Sequence, residues 1–352
     1  MKHQPFFVVA RTAATYAGTI IGAGFASGQE IIQFFVSYGY TGLWGIALAT
    51  LLFGWLGFTL MDLGFKLSVK SYSPVIYYLC GRQLGFLIDL VAGIFLFTTL
   101  SIMLAGAATL LNEYFTLPYN VSLIAAAIII ISTVACGVKG ISTANMLIAP
   151  LLILSLLVIS VYSLFYHNFT PNMLQPLPPI IKPAAPHWLL ASLLYVSYNL
   201  IMGATVLVPL GHYIQSRRLR LLSGLIGGTL LGVLATVLAI VILLHYPSVL
   251  HYEVPILQIA AQQHDLNGII YACTLLAAMY TTAIASLYGC TQKVKQITNA
   301  KAFVVLLAIT SLAAIFSNLG FATLIRLMFP LFGYATLFFT FRLVWVSFRG
   351  TQ

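Results

Sequence analysis

The sequence predicts an all-α integral membrane protein of about ten transmembrane helices, arranged as a five-plus-five inverted repeat with helices one and six broken. Three observations carry this expectation. Apolar segments longer than the roughly 18 residues that cross a bilayer recur along the whole chain. Hydrophobic residues make up 61% of the sequence and charged residues 6%, a balance far from the roughly 25% charged residues of a soluble domain. Glycine-rich interruptions also fall at matching places in the two halves.

In chain order the expected spans cover 6–36, 41–67, 84–111, 121–138 and 144–166, then 188–214, 221–245, 267–290, 303–316 and 321–346. Residues 1–352 read as one membrane domain, with repeats at 1–170 and 187–352. The first span has basic flanks, as a cleaved signal would. It is nevertheless long, carries Gly18, Gly22, Gly24 and Gly28, and runs into Gln29-Glu30 without a cleavage site, so it reads as a mature helix.

Lys and Arg set the orientation, because cytoplasmic loops retain positive charge. With an even number of spans, all 16 Lys and Arg fall on one side except Lys182, in an opposite loop, and Arg326, inside the last span. Both termini are therefore expected in the cytoplasm of a bacterial-type inner membrane. The net charge of +10 then reflects topology, and no nucleic-acid partner is expected. Cys80, Cys136, Cys273 and Cys290 form neither a disulfide framework nor a metal-spacing motif.

The Pro-rich segment 171–186 divides five spans from five. An odd number of helices per half makes the second half enter from the opposite face, which defines an inverted repeat. Pro74, before span three, and Pro255, before span eight, each suit the first turn of a short helix in equivalent positions. Spans one and six carry Gly18-Thr19-Ile20-Ile21-Gly22-Ala23-Gly24 and Asn199-Leu200-Ile201-Met202-Gly203-Ala204. Unwinding there would free backbone groups that hydrocarbon cannot satisfy, so a ligand or ion must take their place. The alternative is that glycines four apart merely admit a neighbouring helix.

The stretch from Gly18 to Glu30 resembles the first-helix signature of bacterial amino-acid permeases in the amino acid–polyamine–organocation superfamily. The resemblance implies the five-plus-five fold of the bacterial leucine transporter and secondary transport of a small solute. It also implies a solute site between helices one, three, six and eight and, in many relatives, a sodium ion between helices one and eight. Residue by residue, the sodium ligands would be the carbonyls of Gly18, Ile21 and Ala278 with the hydroxyls of Thr281 and Thr282. Ala278, Thr281 and Thr282 stand at i, i+3 and i+4, on one helix face. Their alternative is bonding of both hydroxyls to carbonyls of their own helix. A second sodium site of some relatives needs a side-chain amide where this chain has Phe25.

The expected solute site comprises Thr19, Ile20, Gly22, Ala23 and Gly24 at the first break, with Tyr198, Asn199 and Gly203 at the sixth. Helix ends at such breaks favour a carboxylate electrostatically. Glu30 and Arg326 lie inside spans, where a charge costs about 2.5–3.5 kcal/mol on insertion scales. They are expected to form a gate by pairing, with a static bridge, separate snorkelling or a proton-carrying Glu30 as alternatives. His212 and His245 read as interfacial, and Asp62 and Asp89 as partners of nearby cations.

An intramembrane enzyme lacks support: no His-Glu-x-x-His, Gly-x-Ser-x-Gly or phosphate-binding Gly-Lys loop is present. A channel would not need two broken helices in inverted halves. Expected partners are a small-molecule solute and membrane lipids, with sodium as the candidate ion and no other cofactor.

Overall fold

A computed structural model describes residues 5–136, 141–166, 182–298 and 300–349, with side chains for all of these except 141–147, 149, 296 and 297. Lys2, Lys139 and the prolines at 171, 176, 178 and 179 of the expected divider lie outside the described residues. The elements are α1 (Pro5–Ile20), α2 (Ala23–Ser27), α3 (Gln29–Phe34), α4 (Tyr40–Lys66), α5 (Ser73–Glu113), α6 (Tyr119–Cys136), α7 (Ile141–Tyr166), α8 (Trp188–Tyr213), α9 (Arg217–Leu244), α10 (Pro255–Gln263), α11 (Asp265–Ile297), α12 (Ala302–Ser317) and α13 (Phe321–Arg349). Among the described residues no strand occurs.

Seven of these helices are long and apolar enough to cross a membrane: α4, α5, α6, α8, α9, α11 and α13. They match seven of the ten expected spans. The first expected span is instead three short helices, and α12 is a shorter apolar helix of 16 residues.

Glycines fix how the helices meet. Gly54, Gly224 and Gly228 let α4 and α9 touch backbone to backbone: a Cβ on Gly224 would lie 2.7 Å from the Phe58 nitrogen and 2.8 Å from the Gly54 oxygen. Gly64 and Gly211 do the same for α4 and α8, against the backbones of Val208 and Met61. Small residues are the usual means of close helix approach where lipid removes the hydrophobic drive. The buried Tyr16 of α1 inserts its ring between Gly57 and Gly227, and its hydroxyl donates to the Phe53 carbonyl at 2.9 Å. α1 is thereby held against α4, α8 and α9.

Pro74 and Pro255 each occupy the first turn of a helix, as expected. The short helix at Pro74 is joined to the following span, with a sharp kink at Gly81 (φ 74°).

The expected break in span six is corrected: α8 runs unbroken from Trp188 to Tyr213. Asn199 donates its side-chain amide to the Tyr195 carbonyl one turn back at 2.9 Å, and Gly203 faces the Tyr16 ring, which a Cβ would meet at 3.4 Å. Here glycine serves packing, and the helix keeps its ladder.

Candidate functional site

The first span breaks twice. α1 ends at Ile20, where Ile21 N–H donates to Ala17 and Gly22 N–H turns back to Ile20, both at 2.8 Å. Among the described residues, no backbone N–H donates to the carbonyls of Gly18, Thr19 or Ile21 across this turn. Gly18, Thr19 and Gly22 are half-buried, Ile20, Ile21, Ala23 and Gly24 are buried, and a Cβ on Gly22 would point into open space. Three acceptors in a hydrophobic slab with no helical partner form a ready site for a cation or a donor group. Thr19 spends its hydroxyl on Thr15 O at 2.8 Å.

The second break, at Gly28, was not expected. Its φ of 91° is left-handed, a conformation glycine adopts without a Cβ penalty. The Ser27 hydroxyl supports the turn by donating to Gly24 O and accepting from the Gln29 N–H. α2 and α3 are thus short rods between hinges. Tyr271 of α11 anchors α2 through a short bond to the Ala26 carbonyl.

α3 carries Glu30 into the protein, where it is 4% exposed. Its Oε2 accepts from the Tyr198 hydroxyl at 2.8 Å, and its other oxygen lies against Gly24, where a Cβ would collide with it. Around Tyr198, the rings of Phe34, Phe95, Tyr195 and Phe329 stand with centroids 5.8, 6.3, 5.7 and 5.1 Å away.

Above Glu30 on the same element, Gln29 and Gln33 tie α3 to two other segments. Gln29 Nε2 donates to the Tyr252 and Glu253 carbonyls, both at 3.1 Å, and its Oε1 accepts from Arg326 at 3.4 Å. Gln33 donates to the Arg326 carbonyl at 2.6 Å. The Glu253 carboxylate accepts from the Phe321 and Ala322 N–H groups at the start of α13 and from the Thr109 hydroxyl, a charge placed where the helix dipole favours it. Together these bonds form a polar layer that links α3 to Glu253 and to α13, with Gln33 Oε1 and Arg326 Nε left without partners. The role of Glu253 was missed in the sequence, where the only local signal was an acid two residues before a helix-starting proline, and Gln29 was read only as a polar residue after the glycine run.

The expected Glu30–Arg326 pair is corrected: the two do not bond. Among the described residues the ion pairs are Lys66–Asp62 at 3.1 Å, Arg220–Asp62 at 2.8 Å and Lys293–Asp89 at 3.0 Å, so Asp62 and Asp89 do find cations. Arg326 stands beside Gln29 and Gln33 instead, since α3 presents its amides, and not its carboxylate, to that part of α13.

Of the other expected residues, Tyr198 is buried next to the break helix, whereas Asn199 and Gly203 are engaged within α8 and with Tyr16. On α11, the Thr281 hydroxyl donates to the Ala277 and Ala278 carbonyls at 3.1 Å, Ala278 is buried, and Thr282 is half-buried.

No family model matches the chain. The sequence is 31% identical over 327 residues to the uncharacterized membrane protein YkvI of Bacillus subtilis, covering 93% of this chain and 92% of that protein. It is 27% identical over 323 residues to the uncharacterized protein YyaD of the same organism, covering 91% of each. Among solved structures it resembles the Eremococcus coleocola manganese transporter, with a TM-score of 0.59 at 16% identity over 90% of this chain and 71% of that one. It also resembles a Na+-coupled sialic acid symporter in a substrate-bound outward-open state, with a TM-score of 0.60 at 13% identity over 92% and 75%. At such identities the likeness is one of fold. With its apolar membrane-length helices, its broken first span and its near-full-length similarity to one relative, the chain is a multi-pass membrane protein that belongs to the family of Bacillus subtilis YkvI and shares the fold of these membrane transporters.

Proposed function

We propose that this protein is a secondary transporter of a small organic solute, an amino acid before other classes, working by alternating access in a five-plus-five inverted repeat. The observation that carries the reading is the pairing of a broken first span with a polar layer beside it. The carbonyls of Gly18, Thr19 and Ile21 are left without helical partners, while Gln29, Gln33, Glu253 and Arg326 close one approach. A solute at Thr19, Ile20, Gly22, Ala23 and Gly24, under the ring of Tyr198, would meet backbone groups able to bind both its charged ends. Asn199 and Gly203 enter the site only if α8 unwinds during the cycle.

Sodium is the proposed coupling ion, held by the carbonyls of Gly18, Ile21 and Ala278 and the hydroxyls of Thr281 and Thr282. Five neutral oxygens suit a hard monovalent cation. The Tyr271–Ala26 bond, which brings α11 to the broken span, supports this reading: Ala278 and Thr281 follow Tyr271 about 10–15 Å further along α11. The positive-inside distribution puts both termini in the cytoplasm and the Glu253 seal on the outer face of a bacterial-type inner membrane.

The test is thermal unfolding of the purified protein against individual amino acids in sodium or choline, because a ligand selective for the folded state raises its stability. Stabilisation by one amino acid that strengthens in sodium, and loses its sodium dependence in Thr281→Ala and Thr282→Ala, is the expected result. Stabilisation only by organic cations or nucleobases would replace the substrate class. Amino-acid binding unaffected by sodium or by both substitutions would remove the ion site.

A further inference from the structure

We propose that Glu30 is a proton-binding site whose occupancy is tied to closure of the outer face; the assignment rests on the transporter reading above. Three observations meet at this residue. It is a carboxyl inside the protein with one hydroxyl donor, Tyr198, and no ion pair among the described residues. One carboxyl oxygen meets the hydroxyl of Tyr198, a ring packed among Phe34, Phe95 and Phe329, and the other lies against Gly24. It rides on α3, between the hinge at Gly28 and the amides of Gln29 and Gln33 that complete the seal.

An ionised carboxylate in such a place lacks the cation or donors that would offset its lost hydration, and a neutral one does not need them. Apart from Tyr198, no ionisable group on the elements packed against α3 bonds Glu30 among the described residues, and Arg326 keeps its buried Nε without a partner. Arg326 bonds Gln29, Tyr38 of the 3₁₀ turn at Val36–Tyr38 bonds Ala185, and the His245 ring at the end of α9 bonds the Val241 carbonyl. Tyr195 is packed beside Tyr198. Arg220 of α9 is held by Asp62.

The cycle follows from hydration. With the seal open, Glu30 meets outside water as a carboxylate. As α3 swings in, it takes one proton from that side to become a carboxylic acid, whose carbonyl oxygen accepts from Tyr198. When water reaches it from the other face, the same O–H bond breaks and the proton leaves inward. Solute and proton therefore move in one direction, and the step needs no other reactant.

The first test is infrared difference spectroscopy of the purified full-length protein. The wild type is expected to show a protonated-carboxyl C=O band that Glu30→Gln removes and Tyr198→Phe moves to higher frequency, as the carbonyl loses its donor. Amide hydrogen exchange of α3 adds the link to closure. Because opening must release a proton, protection relative to Glu30→Gln at the same pH should fall about tenfold per pH unit once Glu30 titrates. A spectrum unchanged by Glu30→Gln, or exchange that follows the same pH course in both proteins, overturns the proposal. Liposomes holding a pH-sensitive dye and challenged with a mixture of the standard amino acids separate the two readings. Amino-acid uptake without proton entry overturns the proton site and leaves the transporter standing. A Glu30 band in protein that moves no solute leaves the site and overturns the transporter.

Discussion

Asp62 and Glu30 are both carboxylates drawn into a membrane protein, and the structure treats them in opposite ways. Asp62, at the end of α4, is held by Arg220 through two nitrogens at 2.8 and 3.2 Å and by Lys66 at 3.1 Å. Arg220 in turn donates to the carbonyls of Ile214 and Gln215 just beyond α8 and lies over the Phe65 ring at 4.1 Å. Every strong donor there is matched, so the cluster ties α4, α8 and α9 into one block. Glu30 has a single phenol. A fully paired charge fixes structure, whereas a barely paired one is free to change state, the role proposed above for Glu30.

The comparison can be broken most forcefully at Arg220. Arg220→Ala strips a buried carboxylate of its main partner and leaves two carbonyls short of a donor, with an expected loss of about 3–5 kcal/mol in chemical or thermal unfolding. An unchanged melting curve would mean that the block is held by packing alone. Gly24→Ala strikes the other region less hard. Its methyl pushes the Glu30 carboxyl off Tyr198, at an expected cost of about 1 kcal/mol, the worth of one hydrogen bond, with a shift in the Glu30 infrared band as the sharper readout. The smallest effect falls on Lys66, whose side chain is 43% exposed. Lys66→Ala should cost about 0.2–1 kcal/mol, less in high salt, because water already screens the pair. A Lys66 effect as large as that of Arg220 would erase the distinction between the clusters.

Much of the scaffold was legible from apolar length alone. The span expected at 41–67 is α4 at Tyr40–Lys66, and that expected at 188–214 is α8 at Trp188–Tyr213. The break at Gly22 was legible too, because many glycines fall within a few residues and polar Gln29 and Glu30 follow at once. Gly203 could not be read in the same way. A glycine permits either a break or a close contact, and the choice is made by whatever faces it: open space at Gly22, the Tyr16 ring at Gly203. The partner of Glu30 was hidden for a related reason. Tyr198 lies 168 residues away along the chain, and periodicity says which face a residue occupies but not which helix stands opposite. Arg326 was the expected partner because opposite charges suggest pairing. In the fold Arg326 meets the amides of Gln29 and Gln33 instead.

The contact of α4 with α9 through Gly54, Gly224 and Gly228, and with α8 through Gly64 and Gly211, has a mechanical outcome. Backbones that touch along such a seam cannot slide past one another without lifting one helix over the next, and no acyl chain can wedge between them. A thinner or thicker bilayer is therefore met by tilting these three helices as one plate. Lipid composition would reach the broken first span through the angle of that plate, with Tyr16, clamped between Gly57 and Gly227, carrying the tilt directly to the end of α1.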